Sequence, residues 1–145
     1  MIDLTLEMAQ TILSAALAHA RAQNLNPLAI RVLDARGVLK TGLAEDGTSL
    51  RRGNIAEAKA AGALAFGVGS RTLLSHARDQ PYFITAASQS IGGAMIPAPG
   101  GVLIRSAEGR LLGAIGISGD SSDHDEACAL AGIQAAGLVA DPGMD

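Results

Sequence analysis

The stretch Arg110 to Leu138, RLLGAIGISGDSSDHDEACALAGIQAAGL, decides the fold. From Leu111 to Ser118 every position but the last is apolar or small, the pattern of a strand covered on both faces rather than wet on one. Such a strand belongs in the middle of a sheet. The chain then turns through Gly119-Asp120-Ser121-Ser122 into a helix. Ser122 and Asp125 stand at capping-box spacing there, and Asp123, Asp125 and Glu126 put negative charge into the first turn. Ala127, Leu130, Ala131, Ala135 and Leu138 recur at i, i+3, i+4 spacing and predict the stripe by which this helix packs against the sheet.

Just upstream, Val102 to Arg105 reads as a strand that returns through the turn Ser106-Ala107-Glu108-Gly109 into the central one. The same grammar occurs earlier. Leu28 to Leu33, the turn Asp34-Ala35-Arg36-Gly37 and Val38 to Leu43 form a second hairpin, and each hairpin is followed by an alanine-rich helix. Hairpins pair strands antiparallel, which excludes a doubly wound parallel sheet. The expected fold is α+β: a single domain over residues 1–140, about five antiparallel strands with helices packed on the faces, and a frayed tail over 141–145. An amphipathic helix opens at Thr5 and ends before Pro27, and another runs from Asn54 through Phe66. Between Gly67 and Ser90 short helices starting near Ser70 and Pro81 predict a mobile helical cover. The run Gly92 to Gly101, GGAMIPAPGG, reads as a loop or edge strand because proline cannot donate to a ladder.

Composition narrows the function. Apolar residues make up 48% of the 145 but aromatics only 2%, so the core is built of Ala, Leu, Ile and Val, and platforms for stacking bases are nearly absent. A net charge of −3 without a basic run argues against nucleic acid and against an anionic membrane surface. The single Cys128 excludes an intrachain disulfide and a cysteine-rich zinc site, and the three histidines do not form a metal-binding pattern, so no metal site is expected. No 18-residue apolar span exists, and the start MIDLTLEMAQ carries acids where a secretory signal carries Lys or Arg; the expected location is the cytoplasm.

VLDARG followed by EDG, the helix NIAEAKAAGA, the double glycine of GGAMIP and GRLLGAIGISGDSSDHDEACALAGI together resemble the GlcG/HbpS-like family. These segments span Leu28 to Leu138 in the family's order. The chain is also similar to the second domain of some corrinoid adenosyltransferases. The resemblance implies an α+β fold, a homo-oligomer and a small-molecule ligand, with haem the ligand it suggests. One departure is Ala44, where members often carry an arginine.

Two functional readings follow. One is a small-ligand-binding module that takes haem. The other is a cofactor-independent isomerase, lyase or hydrolase acting on a small organic acid, with Lys59, His76 and Asp125 as its catalytic groups. Lys59 shares a predicted helix face with Ile55, Ala58, Gly62 and Phe66, so its ammonium must reach the rim, pair with Asp34 or Asp125, or hold an anionic ligand. His76, with Arg71, Arg78 and Tyr82 nearby, is the best-placed histidine for an axial ligand, an acid/base or a substrate contact. Ser118 precedes a helix N-terminus whose free N–H groups suit an anion. Asp34, Arg71, Tyr82 and Glu126 complete the expected ligand contacts, and Gly92 and Gly93 let the backbone approach a flat ligand, a neighbouring subunit or a tight turn.

Overall fold

In the computed structural model, which describes residues 3–145, the central strand is β4 (Leu111–Ser118), flanked by β1 (Ala29–Asp34) and β3 (Gly101–Arg105), both antiparallel to it. β2 (Leu39–Ala44) pairs with β1, and β5 (Val139–Asp141) pairs with β3. The order is β2-β1-β4-β3-β5, antiparallel throughout. Alternation along the strands sends Ile30, Val32, Val102, Ile104, Ile115 and Ile117 to one face. There they pack with Ile12 and Ala16 of α1 (Leu6–Ala22) and with Cys128 and Ile133 of α5 (Ser122–Ala135). The opposite face presents Leu33, Leu103 and Ala114 to Ala60 and Ala63 of α2 (Arg52–Phe66). With helices on both sides, β4 is buried from Leu112 to Ser118, as its unbroken apolar sequence predicts.

Together with α3 (Ser70–Asp79) and α4 (Pro81–Ser90) this makes five helices and five strands among the described residues, one α+β unit; of the expected span, residues 1 and 2 lie outside them. α3 and α4 form a small satellite core of Leu73, Ile84 and Met95, padded by Val68, Ala77, Ala87 and Ile91. The buried Ser70 hydroxyl accepts a hydrogen bond from the Gly101 N–H (2.7 Å) and pins the start of α3 to β3.

Several local expectations are corrected. α5 is capped by Ser121, whose Oγ accepts from the His124 N–H (3.2 Å), rather than by Ser122. Its buried residues are Asp125, Cys128, Ala129, Gly132 and Ile133, so the helix is rolled away from the stripe expected at Ala127, Leu130, Ala131 and Ala135. Small residues on both sides blur the apolar period, and Gly132 settles it by close approach: a Cβ there would lie 2.4 Å from the Ile12 carbonyl of α1. α2 is rolled likewise, burying Ala56, Lys59, Ala60, Gly62 and Ala63, and it begins at Arg52 without a side-chain cap. Residues 141–145, expected to fray, contribute Asp141 to β5 and then lie along α3, with the Met144 N–H donating to Thr72 Oγ1 (2.8 Å). Among the described residues no helix is long and apolar enough to cross a membrane.

Candidate functional site

Lys59 from α2 and Asp125 from α5 approach from opposite faces of the sheet and meet at the C-terminal end of β4. The Lys59 ammonium donates to the Ile117 carbonyl (2.9 Å) and to Asp125 Oδ2 (3.2 Å), while Asp125 Oδ1 accepts from the Asp120 N–H (3.0 Å). The two side chains are 4% and 1% exposed. Burial pushes the Lys59 ammonium below and the Asp125 carboxyl above their ordinary values, and each charge opposes the shift of the other. Of the alternatives open for Lys59, the internal pair with Asp125 is the one realised. The pair clamps α2 to α5 and has no face toward solvent.

The anion site expected after Ser118 is filled from within the chain. Ser118 Oγ, itself buried, accepts from the Arg52 guanidinium (3.0 Å). The N–H groups of Asp120, Ser121 and His124 go to Asp125 Oδ1, Asp120 Oδ1 and Ser121 Oγ. Asp120 also accepts from the Asn26 N–H (2.8 Å) and lies 2.6 Å from His124 Nδ1, which together hold its carboxyl down at about 2.

Arg71, on the first turn of α3, and Glu126 of α5 are brought together. The guanidinium donates through Nε to Glu126 Oε2 (3.0 Å) and through its second terminal nitrogen to Glu126 Oε1 (3.3 Å). That nitrogen also reaches Asp123, and the first terminal nitrogen donates to Asp145 Oδ1 (3.0 Å). Three carboxylates around one guanidinium push its proton affinity above the ordinary arginine value. Glu126 is mostly buried, whereas Asp123 and Asp145 are 78% and 75% exposed.

His76 sits elsewhere, on the last turns of α3. A cleft of about 260 Å³ opens between the end of α2, α3 and α4, with Phe66, Val68, Leu73, His76, Phe83 and Ile84 among its walls. The chain has two phenylalanines, and both are here. A second cavity of about 370 Å³ shares Val68 and His76 with the first and has more polar walls, with Thr72, Ser75, Asp141 and the tail residues Met144 and Asp145 lining it. His76 therefore stands where the two cavities meet. Its ring makes no hydrogen bond to another described side chain, which leaves the imidazole free for a ligand.

The remaining candidates fall outside this cleft. Tyr82 is next to Phe83 in sequence but 74% exposed and lines neither cavity. Gly92 and Gly93, both left-handed at φ +76° and +82°, end α4 in a turn closed by bonds to Gln89 and Ser88, so the tight-turn reading holds for them. Asp34 caps the β1–β2 turn, accepting from the N–H groups of Arg36 (2.9 Å) and Val38 (3.0 Å). Although burial acts against it, these bonds and the Arg36 guanidinium hold the Asp34 carboxyl below its usual range. The register pairs Ala29 with Ser118 and Asp34 with Gly113, which sets Asp34 roughly 17 Å from the Lys59 end of the sheet. Phe66, expected on the buried face of α2, is instead turned to the cleft, and Phe83, which was not among the expected contacts, joins it there. The signal that could have found them is scarcity: in a chain this poor in aromatics, all three fall between residues 66 and 83.

Residues 4–134 match the family model described as haem degrading protein HbpS-like. No curated protein sequence matches the chain. Among solved structures, HbpS is 26% identical with a TM-score of 0.78, covering 92% of this chain and 90% of its own. The PduOC:Heme complex is 23% identical with a TM-score of 0.85, covering 95% and 98%. Protein ORFY of Klebsiella pneumoniae, a DUF336 protein, is 22% identical with a TM-score of 0.84, covering 94% and 93%. The latter two show the fold. With the family model spanning nearly the whole chain, the protein belongs to the HbpS-like family.

Proposed function

We propose that the protein binds haem in the cleft between the end of α2, α3 and α4, with His76 as the axial ligand. Membership of the HbpS-like family and the haem complex of a protein with the same fold support the ligand class. The observation that carries the placement is the juxtaposition of one free imidazole with apolar walls that hold both phenylalanines. The fit is chemical as well as spatial. Phe66, Phe83, Leu73 and Ile84 offer the apolar surface a macrocycle needs, and His76 offers the nitrogen its iron takes in globins and peroxidases. Haem held there supplies an iron centre for redox or oxygen chemistry; the protein's part is to hold and shield it. The cleft is smaller than the usual ligand pocket, but the second cavity adjoins it at Val68 and His76.

A cofactor-independent reaction built on Lys59 and Asp125 draws no support from the geometry, because the two groups neutralise each other out of reach of solvent. The test is a haemin titration followed at the Soret band. His76→Ala should weaken binding at least roughly ten-fold and remove the imidazole-ligated spectrum, while Phe83→Ala should weaken binding without changing the ligation. A His76→Ala protein with the wild-type spectrum and affinity would sink the proposal.

A further inference from the structure

Arg71 is held in two unequal ways. Glu126, mostly buried, takes its Nε and shares one terminal nitrogen with the exposed Asp123, and these two fix that side of the guanidinium in place. The other terminal nitrogen is turned to Asp145, its only carboxylate partner among the described residues and a side chain that is three-quarters exposed. Asp145 in turn lines the second cavity beside His76, so one carboxylate touches both that cavity and the guanidinium. The tail that carries it is anchored by its backbone, with the Met144 N–H donating to Thr72 Oγ1 (2.8 Å), the Thr72 hydroxyl to the Met144 carbonyl (3.3 Å) and the Arg71 N–H to the Pro142 carbonyl (3.3 Å), so the Asp145 side chain can leave the guanidinium without the tail detaching.

An exposed ion pair is worth little, because water competes for both partners, whereas an arginine already oriented by a buried carboxylate loses little freedom on taking a new one. We propose that the Arg71 edge is a carboxylate-binding position for a ligand seated in the His76 cleft, and that the Asp145 side chain is its built-in occupant, displaced when such a ligand arrives. This rests on the His76 cleft being the ligand site. It adds the ligand's chemical class, an apolar body bearing at least one carboxylate, and it makes the tail a competitor whose removal tightens binding. The wall residues of the apolar cavity carry no cation, so Arg71 is the charged group through which acids are distinguished from neutral analogues.

The test compares haemin, which has two propionates, with haemin dimethyl ester, which has none. Titrations use the wild type, Asp145→Ala, Arg71→Gln and the double variant, with circular dichroism confirming the fold. Asp145→Ala should bind haemin about two- to five-fold more tightly, the range an exposed ion pair commands, and the ester unchanged. Arg71→Gln should bind haemin roughly ten-fold more weakly and erase the preference for acid over ester. In the Arg71→Gln background Asp145→Ala should then have no effect. A gain of equal size in that background, or equal gains for acid and ester, would mean that Asp145 acts only as a diffuse negative charge and would overturn the proposal. If neither porphyrin binds any variant, the His76 site falls and this inference with it; if both bind and Asp145→Ala changes nothing, only the inference falls.

Discussion

Replacing Lys59 by Met keeps the apolar stem and deletes the charge, which leaves the Asp125 carboxylate buried with a backbone N–H but without its ion partner. Breaking a buried pair from one side costs about 3–5 kcal/mol, and Lys59→Met should show that loss in denaturant unfolding at neutral pH. The pH dependence has a definite sign. Burial already raises the Asp125 carboxyl, and the lysine is the main group opposing it, so in the variant the folded-state value rises further above the unfolded one. A group raised in the folded state favours folding most when protonated, so the variant should regain stability as pH falls from 7 toward the ordinary carboxylate range. Adding Asp125→Asn should remove that dependence. A Lys59→Met protein as stable as the wild type at every pH would show that the pair is neither as buried nor as coupled as its geometry indicates.

At the level of elements, the close approach of α2 to the sheet is set by glycine. A Cβ on Gly116 in β4 would fall 1.8 Å from the Ala56 carbonyl of α2, a contact with backbone that no rotamer change relieves. Gly116→Val should therefore cost at or above the upper end of the about 1–3 kcal/mol typical of overpacking, as measured by thermal or denaturant unfolding. His19→Ala, on the part-exposed side of α1, should stay within about 0.5 kcal/mol. Equal melting temperatures for the two would place the core elsewhere. The same packing logic explains why the helix stripes were harder to read than the strands. In α2 and α5 alanine and glycine occupy nearly every side, so several faces qualify as apolar, and the face that wins is the one where a glycine lets another backbone in.

For the whole molecule, the testable consequence concerns assembly. The outer strand β2 leaves Leu39 about half exposed, Val38 beside it is similarly exposed, and Leu50 in the following loop is 90% exposed. We propose that this side is covered in a homo-oligomer, the state the family resemblance implies. Sedimentation at micromolar concentration should show a species at least twice the 14.6 kDa chain mass, and Leu39→Lys should shift it toward monomer. A wild-type protein that sediments only as monomer would end that proposal.

The central strand, both hairpins, the antiparallel pairing and the two-sided helical cover were legible in the sequence, because a strand buried on both faces and a turn closed by glycine each impose a local pattern that no distant contact can disguise. The Lys59 problem was legible as well: an ammonium among apolar neighbours needs a partner, and Asp125 was one of the two partners at issue. What only the tertiary structure decided was which of them it is, since that depends on β4 ending where side chains from α2 and α5, on opposite faces, can reach each other, while Asp34 is carried to the far end of the sheet. The cleft belongs to the same class. His76, Phe66 and Phe83 lie on three helices whose relative placement is set by the satellite core of Leu73, Ile84 and Met95 and by the Ser70 anchor to β3. The short β5 and the tail beside Arg71 owe their order to partners more than thirty residues away in the chain, and a local reading of Asp141-Pro142-Gly143-Met144-Asp145 cannot contain that information.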